Sequence, residues 1–503
     1  MDDLTKYPIS IYNSLKRTKE SFQPINKGKV GMYACGPTVY GDPHLGNCRG
    51  AITFDIVFRY FKFLGFKVRY VRNITDVGHL EDEVADTGED KISKKARLEQ
   101  LEPMEVAHTY TLSFHEAMRQ LNTLPPSIEP TATGHIIEQI ELIQQLFENG
   151  YAYEVEGSVY FDIKKYSDKG FPYGDLSGRV VEDLLEGTRS LDGQSEKRNA
   201  ADFALWKKAK PEHIMKWNSP WGLGFPGWHL ECTAMSSKYL GFPFDIHGGG
   251  MDLQFPHHEA EIAQSFGACG CAPANYWMHN NMLTVDSQKM AKSKGNFITL
   301  HEMFSGDHKL LDRAFSPMTI RFFMLQSHYR STIDFSNDAL VAAEKGYKKL
   351  MTALSLSEKL SYEGASEIDE ELIKDINDLC DACYKHMSDD FNTAQALAAL
   401  FELSAKVYAF YNKQISLGSI DESTFTRLIE TFNTFIKDVL GLEVESEGQS
   451  SKLDDVMEMM IEMRKKARIN KDWALSDKIR DDLAVKGIIL KDEKEGRTSY
   501  SVE

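Results

Sequence analysis

Long apolar runs are missing from this sequence: nothing close to twenty uninterrupted apolar residues occurs in its 503 residues, although 42% are hydrophobic. A membrane-spanning helix needs about twenty, so the expectation is a water-soluble chain without a membrane partner. A basic region followed by an apolar stretch is also missing from the start, Met1-Asp2-Asp3-Leu4, so no secretory signal is read and a cytoplasmic location is expected. Cysteine is sparse and odd in number, seven in all: Cys35, Cys48, Cys232, Cys269, Cys271, Cys380 and Cys383. That count, without a signal, argues against a disulfide framework. Basic residues are outnumbered, 58 against 75 acidic, for a net charge of -17. The deficit argues against a protein that coats nucleic acid nonspecifically and leaves room for a local basic face. No internal repeat or low-complexity tract is present.

The length exceeds what one hydrophobic core fills, so roughly two to four domains are expected. The first 80 residues read as a βαβ unit. Lys29 to Cys35 is strand-like and closes at Gly36-Pro37; a helical pattern through Ile52, Ile56, Phe58 and Phe63 stops at Gly65; Lys67 to Ile74 is a buried parallel strand ending in Thr75-Asp76. Such a unit brings the residues after its first strand to the carboxyl edge of the sheet.

His44, Gly46 and Asn47 fall at that edge, at the start of the helix. Unpaired backbone donors and a positive dipole end make this a phosphate cradle, with Gly46 permitting close approach; the alternative is that Asp42 and His44 only cap a surface helix. Lys289 and Lys292 lie 245 residues beyond His44, counted to Lys289, in a polar stretch between the apolar run Tyr276 to Val285 and Gly295-Asn296. A loop there can deliver ammonium groups to a triphosphate and stabilise the charge that develops as pyrophosphate leaves.

A second α/β stretch supplies the rest of a nucleotide fold. Phe244 to His247 reads as a short strand, Gly248-Gly249-Gly250 as a tight turn, and Pro256 onward as a helix. Glycines there let a ribose or phosphate approach the backbone, and Asp252 is placed to accept hydrogen bonds from ribose hydroxyls.

Metal-ligating residues carry the most specific chemistry. His257 and Glu261 are four apart on a helix and share a face. Cys232 lies on the helix-like segment Gly227 to Leu240, and Cys35 ends the first strand. Two thiolates, one imidazole and one carboxylate fit a tetrahedral zinc site. With Cys35 nine residues before His44, such a metal faces a substrate rather than only holding the fold.

Several segments carry a family resemblance. Pro43-His44-Leu45-Gly46-Asn47 and Lys289-Met290-Ala291-Lys292-Ser293 resemble the paired HIGH and KMSKS signatures of class I aminoacyl-tRNA synthetases, each with one substitution. Met32 to Tyr40, Asn73 to Asp76, Gly227 to Cys232, Asp245 to Gly250 and Phe255 to Glu259 resemble the cysteinyl-tRNA synthetase family. The resemblance implies an α/β, Rossmann-like class I catalytic domain with an insertion, followed by a helical bundle and a small C-terminal domain. It also implies activation of L-cysteine with ATP to cysteinyl-AMP, then transfer to the 3′ end of tRNA(Cys), in a chain commonly monomeric.

By the same resemblance Cys35, Cys232, His257 and Glu261 hold one zinc that binds the substrate thiolate. Thr75 and Trp228 line the amino-acid pocket, His247 contacts the adenylate, His44 stabilises the α-phosphate region, and Lys292 contacts ATP, which comes with Mg2+. Asn47 replaces the last His of HIGH and cannot carry positive charge; Ala291 removes a hydroxyl from KMSKS. A pocket that measures only size separates near-isosteres by about a hundredfold or less, so thiolate-metal bonding explains rejection of serine and no editing domain is expected.

The expected organisation is 1–84 and 226–299 catalytic, 85–225 connective insertion, 300–354 stem contact, 355–442 helical bundle and 443–503 anticodon-contacting domain. The insertion reads as a helix around Ile136 to Gln145, strand-like Gly150 to Ile163, and a charged loop Gly170 to Arg198. Cys380 and Cys383 form a CxxC, either a helix face or a redox or metal pair. Arg464, Lys465, Lys466, Arg468 and Lys471 precede Trp473, which is either core or an exposed ring for stacking an RNA base. Two other readings remain: a cysteine ligase of the mycothiol-pathway type, which lacks the C-terminal tRNA-binding extension, and a noncatalytic RNA-binding relative.

Overall fold

The computed structural model describes residues 6–78, 80–82, 87–180, 196–211, 213–291, 294–445, 449–469, 472–484, 486–492 and 498–502. The expected loop Gly170 to Arg198 therefore lies partly outside the described residues, as do Lys292 and Lys471. The chain separates into two compact units, Met1–Glu443 and Val444–Glu503.

Strand β1 is Lys29–Ala34, helix α1 Leu45–Phe63 and strand β2 Lys67–Arg72. His44 caps α1 with extended backbone, and the helix ends before Gly65, whose φ of 85° turns the chain back. After the insertion come helix α2 (Trp228–Leu240), strand β3 (Phe244–Gly250), helix α3 (His257–Cys269) and strand β4 (Ala274–Asn280). The four strands form a parallel sheet in the order β4-β3-β1-β2. The connections from the adjacent strands β1 and β3 leave in opposite directions, which opens a crevice beyond their carboxyl ends.

One element differs from its sequence reading. Gly248, Gly249 and Gly250 are not a turn but the last residues of β3, paired with Met278, His279 and Asn280 of β4. A Cβ on Gly248 would stand 2.1 Å from the Phe54 ring. Gly248 therefore lets α1 lie close against the sheet, Gly249 does the same for His258, and the chain turns afterwards through Met251–Gln254.

The insertion forms a five-stranded antiparallel sheet from Ala152–Val155, Ser158–Phe161, Phe203–Lys208, Trp217–Ser219 and Gly222–Pro226. Its core of Val159, Phe161, Leu205 and Trp206 is shared with Ile143 and Leu146 of the helix Ile136–Glu148, and with Leu230, Ala234, Ala260 and Ala263 of α2 and α3. The helices that carry Cys232, His257 and Glu261 are thus packed from the side opposite the parallel sheet.

Strands β5 (Leu283–Val285) and β6 (Gln288–Lys289) follow, then helix α4 (Pro317–Leu325) and strand β7 (Ile333–Phe335), which pairs with β5. Helices α5 (Asn337–Ser357), α6 (Glu370–Ser388), α7 (Thr393–Tyr411) and α8 (Glu422–Thr434) make a bundle. Cys380 and Cys383 are fully buried in its apolar core beside Ile376 and Met387, the environment of a packed helix face. Cys269 and Cys271 are joined by a disulfide across Gly270, at the end of α3. This local bridge was not foreseen from the cysteine count: the left-handed Gly270 reverses the chain and brings residues two apart together.

In the second unit, helices Gln449–Ile469 and Trp473–Ala484 pack with the hairpin Ile488–Asp492 and Thr498–Val502 around Met457, Ile479, Leu483 and Ile488. Trp473 is 58% exposed, so it lies outside this core. Lys465, Lys466 and Arg468 are exposed on the preceding helix, whereas Arg464 is buried.

Candidate active site

Cys35 follows β1 directly, and its amide donates to Gly248 O of β3 at 3.1 Å. This places its thiol in the crevice between the two strands. Cys232 comes from α2, on the second turn from its N-terminus, and His257 and Glu261 come from the first turns of α3. Separate elements therefore aim four ligand atoms at one point, all within 4.8 Å of one another.

The edges of this cluster test its fit to a metal. A tetrahedral zinc with Zn–S of about 2.3 Å and Zn–N or Zn–O of about 2.0–2.1 Å requires edges of roughly 3.8 Å between sulfurs, 3.5 Å between sulfur and nitrogen or oxygen, and 3.3 Å between nitrogen and oxygen. The structure has 3.7 Å for Cys35 Sγ–Cys232 Sγ, 3.4 Å for Cys232 Sγ–His257 Nε2, 3.8 Å for Cys35 Sγ–Glu261 Oε1 and 3.3 Å for His257 Nε2–Glu261 Oε1. The donor set and its spacing fit zinc.

A second group, Cys35, His247, His258 and Glu261, overlaps the first. His247 Nε2 lies only 2.8 Å from Glu261 Oε2, the oxygen turned away from His257, which is a hydrogen bond and not a coordination edge. His247 is fully buried and stacks on Trp277 at 4.4 Å. His258 Nε2 stands 3.3 Å from Cys35 Sγ, while its Nδ1 meets His279 Nε2 at 2.8 Å. His229 Nδ1 meets His257 Nδ1 at 3.1 Å. Each candidate ligand thus has a polar neighbour that orients it.

Burial dominates the electrostatics. It pushes the Cys232 thiol up to about 11 and Cys35 well above its ordinary value, with Cys232 and Glu261 adding to the effect on Cys35. It lowers His258 strongly and takes His279 down to about 3, with His247 adding to both. His258 and His279 are therefore neutral, and a divalent cation in the cluster would reverse the preference of the thiols for their protons.

Thr75 is buried at the end of the β2 segment; its hydroxyl donates to Glu231 Oε2 at 3.0 Å and accepts from Asn73 Nδ2 at 3.1 Å. The half-buried Trp228 ring lies 4.4 Å from that of His257. Both border the ligand cluster. Gly249 is buried within β3 and Asp252 is exposed beyond its carboxyl end.

The two signature segments adjoin. Leu45 N donates to Ile298 O at 3.3 Å, Leu300 N donates to Pro43 O at 2.8 Å, and the His44 ring lies 4.8 Å from that of Phe297. Gly46 N donates to His44 Nδ1 at 3.1 Å, which leaves the proton of a neutral imidazole on Nε2. Asn47 Oδ1 accepts from His44 N at 3.1 Å and completes a capping box. A Cβ on Gly46 would lie 2.9 Å from His44 Cε1 and 3.7 Å from Met290 Cε, so only glycine admits this fold of the ring beside the lysine loop.

Lys289 is exposed on β6. Asn296 clasps the base of its loop: Oδ1 accepts from Ala291 N at 2.8 Å and Nδ2 donates to Lys289 O at 3.2 Å. Sequence reasoning gave no role to Asn73, His229, Glu231, His258, His279 or Asn296. The signals were present in Trp228-His229-Leu230-Glu231-Cys232 and Pro256-His257-His258-Glu259, where runs of buried polar residues flank the ligands.

A parallel sheet with signature segments joined at its carboxyl edge defines a class I aminoacyl-tRNA synthetase. The Mycobacterium tuberculosis methionyl-tRNA synthetase in complex with methionyl-adenylate shares the fold, with a TM-score of 0.57 at 15% identity over 82% of this chain and 89% of that one. Residues 21–345 match the family model for the tRNA synthetases class I (C) catalytic domain, and residues 382–445 match the DALR domain. The chain is 56% identical to the cysteine--tRNA ligase of Porphyromonas gingivalis, covering 98% of this chain and 99% of that protein. It is 49% identical to that of Chlorobaculum tepidum over 97% and 98% of the two chains. The chain belongs to the cysteine--tRNA ligase family. Among the described residues no helix is long and apolar enough to cross a membrane.

Proposed function

We propose that the chain activates L-cysteine with ATP to cysteinyl-AMP and transfers the cysteinyl group to the 3′ end of tRNA(Cys), with the substrate thiolate held at a zinc ion. The observation that carries this reading is the four-residue cluster, four of whose edges match a tetrahedral zinc, at the end of the strand that leads to the His44 cap of α1.

Cys35, Cys232, His257 and Glu261 would hold the metal, one per chain. Bound there, zinc supplies a Lewis acid that lowers the pKa of a substrate thiol and binds the thiolate, which a serine hydroxyl replaces poorly. His247 orients Glu261, a role supported by its 2.8 Å contact with Oε2, beside the adenylate contact expected from sequence. Thr75 and Trp228 wall the amino-acid pocket.

In activation, a carboxylate oxygen of cysteine attacks the α-phosphorus of ATP, and the bond to the bridging oxygen breaks as pyrophosphate leaves. His44 Nε2–H and the amides at the start of α1, with Gly46 and Asn47, face the α-phosphate region. Lys289 and Lys292 neutralise charge on the departing phosphates, which Mg2+ accompanies. Gly249 admits the nucleoside and Asp252 takes its ribose hydroxyls. In transfer, a ribose hydroxyl of the terminal adenosine attacks the carbonyl carbon and AMP leaves.

We assign tRNA binding to the bundle and to 443–503, where exposed Lys465, Lys466, Arg468 and Trp473 face solvent on one unit. The working form is a cytoplasmic monomer. Cysteine-dependent ATP-pyrophosphate exchange, followed by aminoacylation of unfractionated tRNA, tests the proposal. Exchange without charging would favour a cysteine ligase with another acceptor, and no exchange with zinc bound would refute the activity.

A further inference from the structure

Helix α1 buries a basic residue that the active site does not use. Arg49 is 3% exposed. Its Nη2 donates to three backbone carbonyls, His328 at 3.3 Å, Tyr329 at 3.2 Å and Ser331. Its Nε and Nη1 have no hydrogen-bond partner among the described residues. Burial pushes the guanidinium down to about 10, and the one ionisable group acting on it is the thiol of Cys48.

No neighbouring carboxylate pairs with Arg49: the buried Asp390, bonded to the Tyr329 hydroxyl, is paired with Arg330 at 2.7 Å. Arg59 and Arg321, both buried, share the single carboxylate of Asp55, at 2.9 and 2.5 Å. Cys48, buried between Arg49 and Arg321, is pushed up to about 12 by burial and stays neutral. Asp55 is thus taken up by Arg59 and Arg321, Arg49 has no carboxylate partner among the described residues, and an unpaired buried charge is costly.

Arg49 borders a cavity of about 20 Å³, lined also by Thr53, Ser327, Tyr329 and Thr393 and otherwise by apolar side chains of α1, α4 and Phe391. Measured by where the centre of a water-sized sphere fits, roughly 10–15 Å³ suffices for one water molecule. The space takes one occupant of that size, too small for a carboxylate or phosphate. Thr393 opens the 19-residue helix α7, so a positive dipole end faces the same space.

We propose that this cavity binds a monovalent inorganic anion of chloride size, held by Nε and Nη1 of Arg49 at the N-terminus of α7. A water molecule fills the space without offsetting the charge; a halide does both. The ion joins α1, the helix that His44 caps, to α4 and α7.

Crystals of the full chain grown with sodium bromide in place of chloride test the site directly. An anomalous peak in hydrogen-bonding contact with Arg49 Nε and Nη1 supports it; a water there without anomalous signal overturns it. Thermal unfolding of the wild-type chain gives an independent measure. Raising chloride from about 1 to 100 mM at constant ionic strength, with gluconate as the balancing anion, should raise the midpoint by about 1–3 °C. R49Q should unfold at the same temperature in both salts. Equal midpoints in wild type, or the same chloride response in R49Q, would remove the anion.

Discussion

The sulfur atoms of Cys35 and Cys232 lie 3.7 Å apart although 197 residues separate them. One is held by the end of β1 and the other by α2, so the distance is set by how the helix packs on the sheet. The two thiols approach without a bond between them. Their spacing matches the sulfur–sulfur edge of a tetrahedral zinc.

Removing one thiolate should therefore empty the site. Cys232→Ser is expected to fall from about one zinc per chain to below roughly a tenth, with kcat/KM for cysteine in exchange lowered at least about 100-fold. Metal analysis of purified protein checks the first part; unchanged zinc would take Cys232 out of the ligand set.

His247 Nε2 lies 2.8 Å from Glu261 Oε2, and the proposed metal site depends on that contact. His247→Phe should keep the stack on Trp277 but lose this hydrogen bond, weakening zinc affinity by about 10–100-fold. Competition with a chromophoric chelator measures it. Wild-type affinity together with a raised KM for ATP would leave His247 to the nucleotide alone.

The lysine loop should divide into chemistry and positioning. Lys292→Ala should slow adenylate formation by about 100–1,000-fold and leave cysteine binding unchanged. Asn296→Ala, which releases the base of the loop from Lys289 O and Ala291 N, should cost about 10–100-fold in the same step. Single-turnover kinetics would show a rate unchanged in either variant if its role were misassigned.

Deleting 444–503 removes one compact unit. Charging of tRNA should fall by about tenfold or more through KM, while pyrophosphate exchange stays within about twofold. Exchange that collapses while circular dichroism stays native would tie this unit to activation instead.

Asp381 on α6 gives a pH-dependent contribution to stability. Partial burial raises its carboxyl, but Tyr7, Arg427 and Lys6 outweigh this and hold it at about 2. The folded value lies below the unfolded one of about 3.9, so the stabilisation is present above pH 4 and lost as pH falls toward 2. Asp381→Asn should cost about 1–2 kcal/mol at pH 7 in urea unfolding, with the difference shrinking below pH 4. A constant difference across that range would assign the effect to packing.

Much of the site was legible in the chain because its parts are short and local. His44, Gly46 and Asn47 lie within one helical turn, and His257 and Glu261 are i,i+4 on one helix. The glycine run was misread because glycines mark both turns and close packing, and only the position of Phe54 against Gly248 distinguishes them. Asn296 escaped notice because an asparagine in a polar loop carries no pattern until its partners, Lys289 and Ala291, are seen in space. Trp473 needed the fold of its own unit to show that its ring lies outside the core.

Sequence alone determined the chemistry available to this protein: thiols, imidazoles, a carboxylate and two lysine-bearing motifs, in an order that a βαβ topology can use. Tertiary structure decided which of several histidines reach the cluster, which one orients Glu261, and that Arg49 is buried beyond the reach of any carboxylate among the described residues. The reason is physical. Residue type and short-range spacing fix what an atom can do, whereas burial and through-space distance depend on how separate helices and strands pack.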